Sequence, residues 1–429
     1  MNTKLSSLIL YTDGARRKIL NSFILLSENC RDNAQCRDTA YKIFGELLET
    51  AYDYGFSSDA WQSYIALLAV TSDNVFCRAC ERQRINDCTL YDFARRDADI
   101  LYAFFNYDFT EIENRLNTDC FTMLKNYRTA DNLQRACYAG ISKHLNALVP
   151  KLRICKDSSE FFDCLCTFYE CYGYGNLGLN RSFHLSDSDG KIALEPIFNA
   201  CDAALEDIVG YESQKRLLYA NTKAFIGKRP ANNVLLYGDS GTGKSTSIKA
   251  IIDKFYDSGL RMIEIYKHQF ERLPGLISYL SRKNYRFIIY LDDLSFEENE
   301  TEYKYLKAVI DGGAQSKPEN ILIYATSNRR HLVRETWRDR SDVKVENDIH
   351  STDTMEEKLS LAARFGLTVY YPKPGRDEYM EIVEKLAQRN NIDIDLKTLQ
   401  DKARVWEMHH GGISGRTAAQ FIADLLGNQ

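Results

Sequence analysis

The stretch Val234-Leu-Leu-Tyr-Gly-Asp-Ser-Gly-Thr-Gly-Lys-Ser-Thr246 constrains this chain more than any other. It reads as a buried strand, a glycine-rich turn and the start of a helix. Gly238, Gly243, Lys244 and Ser245 fit the spacing G-x-x-x-x-G-K-[ST] without a mismatch. A triphosphate crowds negative oxygens together. Glycines lacking Cβ let the backbone N–H groups of Ser240, Gly241, Thr242, Gly243 and Lys244 turn inward around them. Gly238 and Asp239 open the turn, and Thr246 continues it into a helix whose positive dipole end faces the same point. Lys244 reaches the outer phosphates and the Ser245 hydroxyl can ligate Mg²⁺. A chance glycine turn would match the glycines alone. The apolar run before it and the helix-forming Ser247-Ile-Lys-Ala-Ile-Ile-Asp-Lys254 after it argue for a phosphate loop.

At 429 residues the chain has room for two or three domains. A charged fraction of 27% beside 44% hydrophobic residues is that of a water-soluble globular chain. A net charge of -5 gives no global attraction to nucleic acid or acidic membrane. No run approaches the ~18 apolar residues of a membrane span, so no membrane association is expected. The apolar core of Met1–Tyr11 is too short for a signal peptide and Asp13 interrupts it, which makes the cytoplasm the expected location. All 12 cysteines lie at or before Cys201. Cys77-x-x-Cys80 with Cys88, and Cys164-x-Cys166 with Cys171, touch on zinc spacing. Neither has a second Cys-x-x-Cys or a His pair, and aromatic helical neighbours favour buried thiols.

Residues from about 15 to 172 read as successive amphipathic helices. Thr39–Tyr52 and Ser58–Ala69 are the clearest, with Ser58 as the expected cap, and Ala94–Asn106, Asn132–Leu148 and Glu160–Tyr172 are similar. The aromatic stripes Tyr102, Phe104, Phe105 and Phe161, Phe162, Phe168, Tyr169 could line a partner groove, but core packing is the expected use. This half, residues 1–175, carries no catalytic constellation. Gly173–Asn180 reads as a linker and Phe183–Leu194 as a hairpin turning at Asp189-Gly190, making 176–200 a joining segment. Residues 200–226 read as helical. From there strands at Val234–Tyr237, Arg261–Tyr266, Tyr285–Leu291, Ile321–Ala325 and Leu367–Tyr371 alternate with helices. This pattern predicts an α/β nucleotide-binding domain over 201–374, a parallel sheet with helices on both faces. A small helical lid is expected over 375–429 and an all-α domain ahead of the sheet.

Two further strand ends carry chemistry. The third strand closes on Asp292-Asp293. Asp292 can hold Mg²⁺, directly or through water, opposite Ser245, and Asp293 can polarise an attacking water. Solvated acids at a strand tip are the plainer reading, but these end a buried strand. The fourth strand closes on Ala325-Thr-Ser-Asn328, whose amide can bridge a γ-phosphate and a water. A lone Asn there is usually a turn residue. Its value lies in following the other two motifs in order.

Together the loop Gly238–Ser245, the acids Asp292-Asp293, Asn328 and a C-terminal helical segment resemble the AAA+ P-loop ATPase superfamily. Several strings are closer still to the bacterial domain-of-unknown-function 815 family. They are Asp207-Ile-Val-Gly-Tyr211, Asp292-Asp-Leu-Ser-Phe-Glu297, Ala325-Thr-Ser-Asn-Arg-Arg-His-Leu332, Glu356-Glu-Lys-Leu-Ser-Leu361 with Arg364-Phe-Gly366, and Ser414-Gly-Arg-Thr-Ala-Ala-Gln-Phe421. The resemblance covers about residues 200–429 and implies ATP or ADP with Mg²⁺ as cofactors. It also implies roles. Lys244 would bind phosphate, and Ser245 and Asp292 would serve the metal. Asp293 would stand at the catalytic-base position, where many relatives carry the longer Glu, so turnover would be slow. Asn328 would be the first sensor and Arg416 the second, touching the γ-phosphate from the lid. Arg364 would be the arginine finger reaching a neighbouring subunit's nucleotide, with Arg329 and Arg330 as rivals. Ala363 stands where the family often has an acid before Arg-Phe-Gly. Ile208, Val209 and Gly210 would line the adenine pocket. A ring or partial ring of identical subunits follows from a finger acting in trans.

Three tasks fit such a chain. The first is a remodelling ATPase acting on protein. After the second strand, Tyr266-Lys-His-Gln-Phe-Glu-Arg-Leu-Pro-Gly275 offers Phe270 and Leu273 as grips but lacks an aromatic-apolar-glycine triplet. The second is a nucleic-acid loader using Arg329, Arg330, His331, Arg334, Arg338 and Arg340, a stretch diluted by five acids. The third is a nucleotide-gated scaffold whose helical half binds a protein partner.

Overall fold

A computed structural model describes residues 7–12, 17–29, 34–81, 85–128, 139–186, 192–197, 204–296, 302–310, 318–328 and 361–427. The chain divides into two compact units, residues 1–181 and 182–429.

The first unit is helical: α1 (Lys18–Asn29), α2 (Ala34–Asp53), α3 (Ala60–Thr71), α4 (Val75–Cys80), α5 (Thr89–Phe105), α6 (Thr110–Leu116), α7 (Cys120–Lys125), α8 (Ala139–Arg153), α9 (Ser158–Tyr172) and α10 (Gly175–Leu179). Helix α3 is apolar on nearly every side and buried, so the others pack around it. Its N-cap is Asp59, which accepts from the Gln62 amide, and not the expected Ser58. The aromatic stripes lie inside: Phe104, Phe105, Phe161, Phe162, Phe168 and Tyr169 are all buried. The indole N–H of Trp61 donates to the Phe104 carbonyl at 2.7 Å, which satisfies the polar end of the largest core ring. Cys77, Cys80 and Cys166 are buried among these groups, whereas Cys88 and Cys171 are exposed. Gly173–Asn180 is not a linker. Its centre is α10, whose Gly175, Gly178 and Leu179 are buried, because glycines let this short helix sit close against its neighbours.

The second unit is built on a seven-stranded sheet of order β2-β1-β4-β5-β6-β3-β7. The strands are β1 (Ser182–Ser186), β2 (Ala193–Pro196), β3 (Val234–Gly238), β4 (Leu260–Glu264), β5 (Arg286–Leu291), β6 (Ile321–Ser327) and β7 (Leu367–Tyr371). All five strands read from the sequence are present. The hairpin β1–β2 adds two more, since β1 pairs in parallel with β4. Its turn at Asp189-Gly190 lies outside the described residues. Between the strands run α11 (Glu212–Ile226), α12 (Lys244–Phe255), α13 (Leu273–Leu280) and α14 (Glu302–Ile310). Strands β3, β4, β5 and β6 are mutually parallel and buried through both faces. Right-handed crossovers put α12 on one face, because the chain steps outward from β3 to β4. They put α13 and α14 on the other, because it then steps back through β5 to β6. Accordingly Val234, Leu236, Ile288, Tyr290, Leu322 and Tyr324 form one core with α11 and α12.

Residues 200–226 are not one helix. A single 3₁₀ turn at Leu205–Asp207 leads through Ile208-Val209-Gly210 to Tyr211, which has φ 58°, and α11 begins only at Glu212. The C-terminal helices α15 (Arg376–Arg389), α16 (Leu396–His409) and α17 (Gly415–Gly427) enclose a small core of their own, to which Val209 also belongs.

Candidate nucleotide site

The carboxyl ends of β3, β5 and β6 converge on a cavity of about 670 Å³. Gly238 ends β3 with φ 141°, and a Cβ there would stand 2.0 Å from the Tyr371 carbonyl oxygen of β7. Only glycine lets the chain leave the sheet at that point. Gly241 and Gly243, with φ of 75° and 86°, complete the turn. Helix α12 starts at Lys244, so its first N–H groups face the cavity. Ser240, Gly241, Thr242, Gly243, Lys244, Ser245 and Thr246 line it, while Gly238 and Asp239 form the turn behind.

Lys244 is buried, and its ammonium donates to the carbonyls of Gly238 and Asp239 at 2.8 and 2.6 Å and to Asn328 Oδ1 at 3.1 Å. Burial pushes its pKa down, although Asp239, Asp293 and Asp292 pull the other way. The amide N–H of Asn328 donates to Asp293 Oδ1 at 2.7 Å. Those two partners fix which end of the Asn328 amide is oxygen. Lys244, Asn328 and Asp293 thus form one chain of hydrogen bonds drawn from α12, β6 and the end of β5.

The acids are held by a tight crossing from β5 to β6. The Asp293 amide donates to Thr326 Oγ1 at 2.9 Å, the Leu294 amide to the Thr326 carbonyl at 2.7 Å, and Ser327 Oγ to the Leu294 carbonyl at 2.8 Å. This lacing holds Asp293 at φ 48°, a conformation that costs a non-glycine residue energy unless its surroundings impose it. Asp292 Oδ1 accepts from Thr326 Oγ1 at 2.6 Å, from Ser245 Oγ at 2.9 Å and from the Asp293 amide at 3.1 Å. Among the described residues no hydrogen bond reaches Asp292 Oδ2. Burial alone would raise this carboxyl, but the hydroxyls of Thr326 and Ser245 that bond it, with that of Tyr290 nearby, bring it below its ordinary value. A serine hydroxyl beside an ionised carboxylate with an open oxygen suits a hard divalent cation that keeps waters and phosphate oxygens as its other ligands. Ser245 and Asp292 are the residues that would hold it.

The opposite wall comes from two places. Ile208 and Val209 line it, with Gly210 turning the chain behind them at φ 73°. Helices α15 and α17 supply Ile382, Leu386, Arg416 and Ala419. The Gly415 amide donates to the Gly241 carbonyl at 3.0 Å, which docks the start of α17 on the phosphate loop and turns Arg416 to the cavity. An ion pair between Arg389 and Asp207 at 2.9 Å ties α15 to the chain beside Ile208. Ile382, Leu386 and Ala419 were not foreseen, because apolar residues at helical spacing look like any core stripe. Tyr211 closes the string Asp207-Ile-Val-Gly-Tyr211. Its ring stacks on Tyr371 at 5.0 Å and it too lines the cavity.

Arg364 is half-buried just before β7. Since β7 runs parallel to β3, that is the sheet edge away from the phosphate loop. Arg329 and Arg330, and the basic stretch to Arg340, lie outside the described residues. Phe270 and Leu273 are fully buried and cannot grip anything. The exposed ring after β4 is Tyr266, flanked by the stacked rings of His184 and His268.

A family model described as "Protein of unknown function (DUF815)" matches residues 180–429. Among curated proteins the chain is similar to a probable spastin homologue of Brugia malayi, 26% identical over 169 residues, 34% of this chain and 37% of that one. It is similar to fidgetin-like protein 1 of Drosophila melanogaster, 23% identical over 231 residues, 48% of this chain and 40% of that one. It is also similar to proteasome-activating nucleotidase 2 of Haloferax volcanii, 21% identical over 248 residues, 53% of this chain and 57% of that one. The chain therefore spans less than two thirds of each of these relatives. Among solved structures, a FIGL-1 AAA domain in complex with ADP is 19% identical with a TM-score of 0.35, over 52% of this chain and 73% of that one.

Proposed function

The chain belongs to the DUF815 family and carries an AAA+ P-loop fold, and from that premise we propose that it is a slow, Mg²⁺-dependent ATPase that couples nucleotide state to a protein partner. The observation that carries this reading is the convergence of Lys244, Ser245, Asp292, Asp293, Asn328 and Arg416 on one cavity. A bound triphosphate would lie along the N–H groups of the loop, with Lys244 toward its outer phosphates and Ser245 and Asp292 holding the metal. Bound there, Mg²⁺ would supply positive charge to neutralise the phosphates. Asp293 accepts the proton of the attacking water, Asn328 orients that water against the γ-phosphate, and Arg416 meets the developing charge from α17. Ile208, Val209, Ile382 and Leu386 are apolar surfaces suited to the base.

Similarity to a proteasome-activating nucleotidase supports protein over nucleic acid as the class of partner. The exposed ring of Tyr266 between two histidines supports the remodelling task over the pure scaffold. The helical first unit is the proposed docking part, and a homo-oligomer the proposed working form.

The test is equilibrium binding of a fluorescent ATP analogue, with hydrolysis measured in parallel. Lys244→Ala weakens binding about a hundredfold, the value of charge-assisted hydrogen bonds to phosphate. Asp293→Asn keeps binding and loses about 10²–10⁴ in turnover. Equal loss of both in Asp293→Asn would remove Asp293 from the water-activating role.

A further inference from the structure

Three tyrosines stand on one face of the sheet, and they do not fare alike. Tyr324 on β6 shares hydrogen bonds with Thr222 at 2.7 Å and Asn221 at 3.1 Å, both on α11. Tyr371 on β7 donates to Ser247 Oγ of α12 at 3.0 Å. Tyr290 on β5 is as deeply buried as the other two, yet its hydroxyl has no hydrogen-bond partner among the described residues. It is two residues before Asp292, so both side chains leave the strand on the same side. Its hydroxyl faces Asp292, Ser245 and Thr326 without reaching bonding geometry with any of them.

A buried, unpaired hydroxyl is a cost that a phenylalanine would avoid while keeping the ring's packing. The cost is retained at the one position of the three that borders the cation-holding pair. Around that pair the donors are crowded onto one atom. Ser245, Thr326 and the Asp293 amide all bond Asp292 Oδ1. Asp292 is thus fixed through a single oxygen and can swing about it. Tyr290, on the same side of the strand, carries a further donor toward that carboxylate.

We propose that Tyr290 is a positioning residue for the divalent cation of a bound nucleotide, its hydroxyl steadying the Asp292 carboxylate from inside the sheet. The ligand class is a magnesium nucleoside triphosphate, and the proposal rests on the Mg²⁺-dependent reading of this cavity. Such outer-shell donors commonly carry a tenfold to hundredfold share of metal affinity. Tyr290 is not among the residues that line the cavity, so it acts only through Asp292.

The experiment titrates Mg²⁺ into the full-length protein holding a non-hydrolysable ATP analogue, and follows nucleotide affinity and thermal unfolding separately. Tyr290→Phe needs about tenfold more Mg²⁺ for half its effect. Its affinity for the nucleotide in EDTA is unchanged, and its thermal midpoint is held or raised because the unpaired hydroxyl is gone. Tyr324→Phe is the control: it loses real hydrogen bonds, so its midpoint falls while its Mg²⁺ requirement stays that of the wild type. A Mg²⁺ requirement in Tyr290→Phe equal to wild type overturns the proposal and leaves the nucleotide reading intact. Wild-type binding that ignores Mg²⁺ overturns both.

Discussion

Asp292 shows how much one carboxylate depends on its donors. It is solvent-exposed on one side, yet the hydroxyls around it outweigh its partial burial and keep it ionised to lower pH than a free aspartate. Stability drawn from a lowered carboxyl is complete above the ordinary carboxylate range. It is lost as pH falls through about 4 toward the lowered value, where the folded state must also take up the proton. Asp292→Asn should therefore parallel wild type above about pH 5 in urea unfolding and show a shallower decline below about pH 4. Identical acid limbs in the two proteins would mean that the carboxylate gains nothing from Thr326 and Ser245. The acids were readable from the sequence as a pair closing a buried strand. Different duties for the two were expected from the sequence, but the hydrogen bonds that set them apart were not. What separates them is the crossing to β6, in which Thr326 serves both residues, and a threonine inside an apolar strand gives no such signal on its own.

At the scale of elements, the site depends on how β3 meets β7. Gly238 has no room for a Cβ against the Tyr371 carbonyl, and its φ lies where only glycine is at ease. Gly238→Ala should therefore cost about 1–3 kcal/mol in chemical denaturation, the usual price of forcing atoms into a packed interior. It should weaken nucleotide binding as well, because the loop leaves the sheet at that residue. Unchanged stability would mean that β7 is free to move aside. Strand β3, the loop and α12 were legible because an apolar run, fixed-spacing glycines and a helical period follow one another without interruption. The hairpin was legible as a hairpin but not as an edge of the sheet. Its pairing with β4 joins residues some eighty positions apart, and local periodicity carries no register over that distance. Gly173–Asn180 misled for a related reason: glycine marks a flexible joint and a close approach with the same letter.

The whole molecule divides into two units: residues 1–181 hold a helical core, and residues 182–429 hold a core on the sheet and a smaller one among the C-terminal helices. The proposed chemistry occupies only the second. Within it, Arg364 stands at the sheet edge remote from its own phosphate loop, so any contact it makes with a γ-phosphate must be with another copy's. If Arg364 serves as such a finger in trans, hydrolysis per subunit rises with protein concentration as copies assemble. Arg364→Ala should lower the assembled rate about a thousandfold while leaving nucleotide affinity unchanged. A per-subunit rate that stays flat across the assembly range would dismiss the trans contact.

Ile208 and Val209 are consecutive, yet one is embedded in the sheet's interior and the other among the C-terminal helices. A single peptide unit is thus riveted to both bodies that enclose the cavity, with a left-handed glycine as the next joint. Any swivelling of the terminal helices, which are joined covalently to β7 through residues 372–375, would also pull on the torsion angles of this short strap.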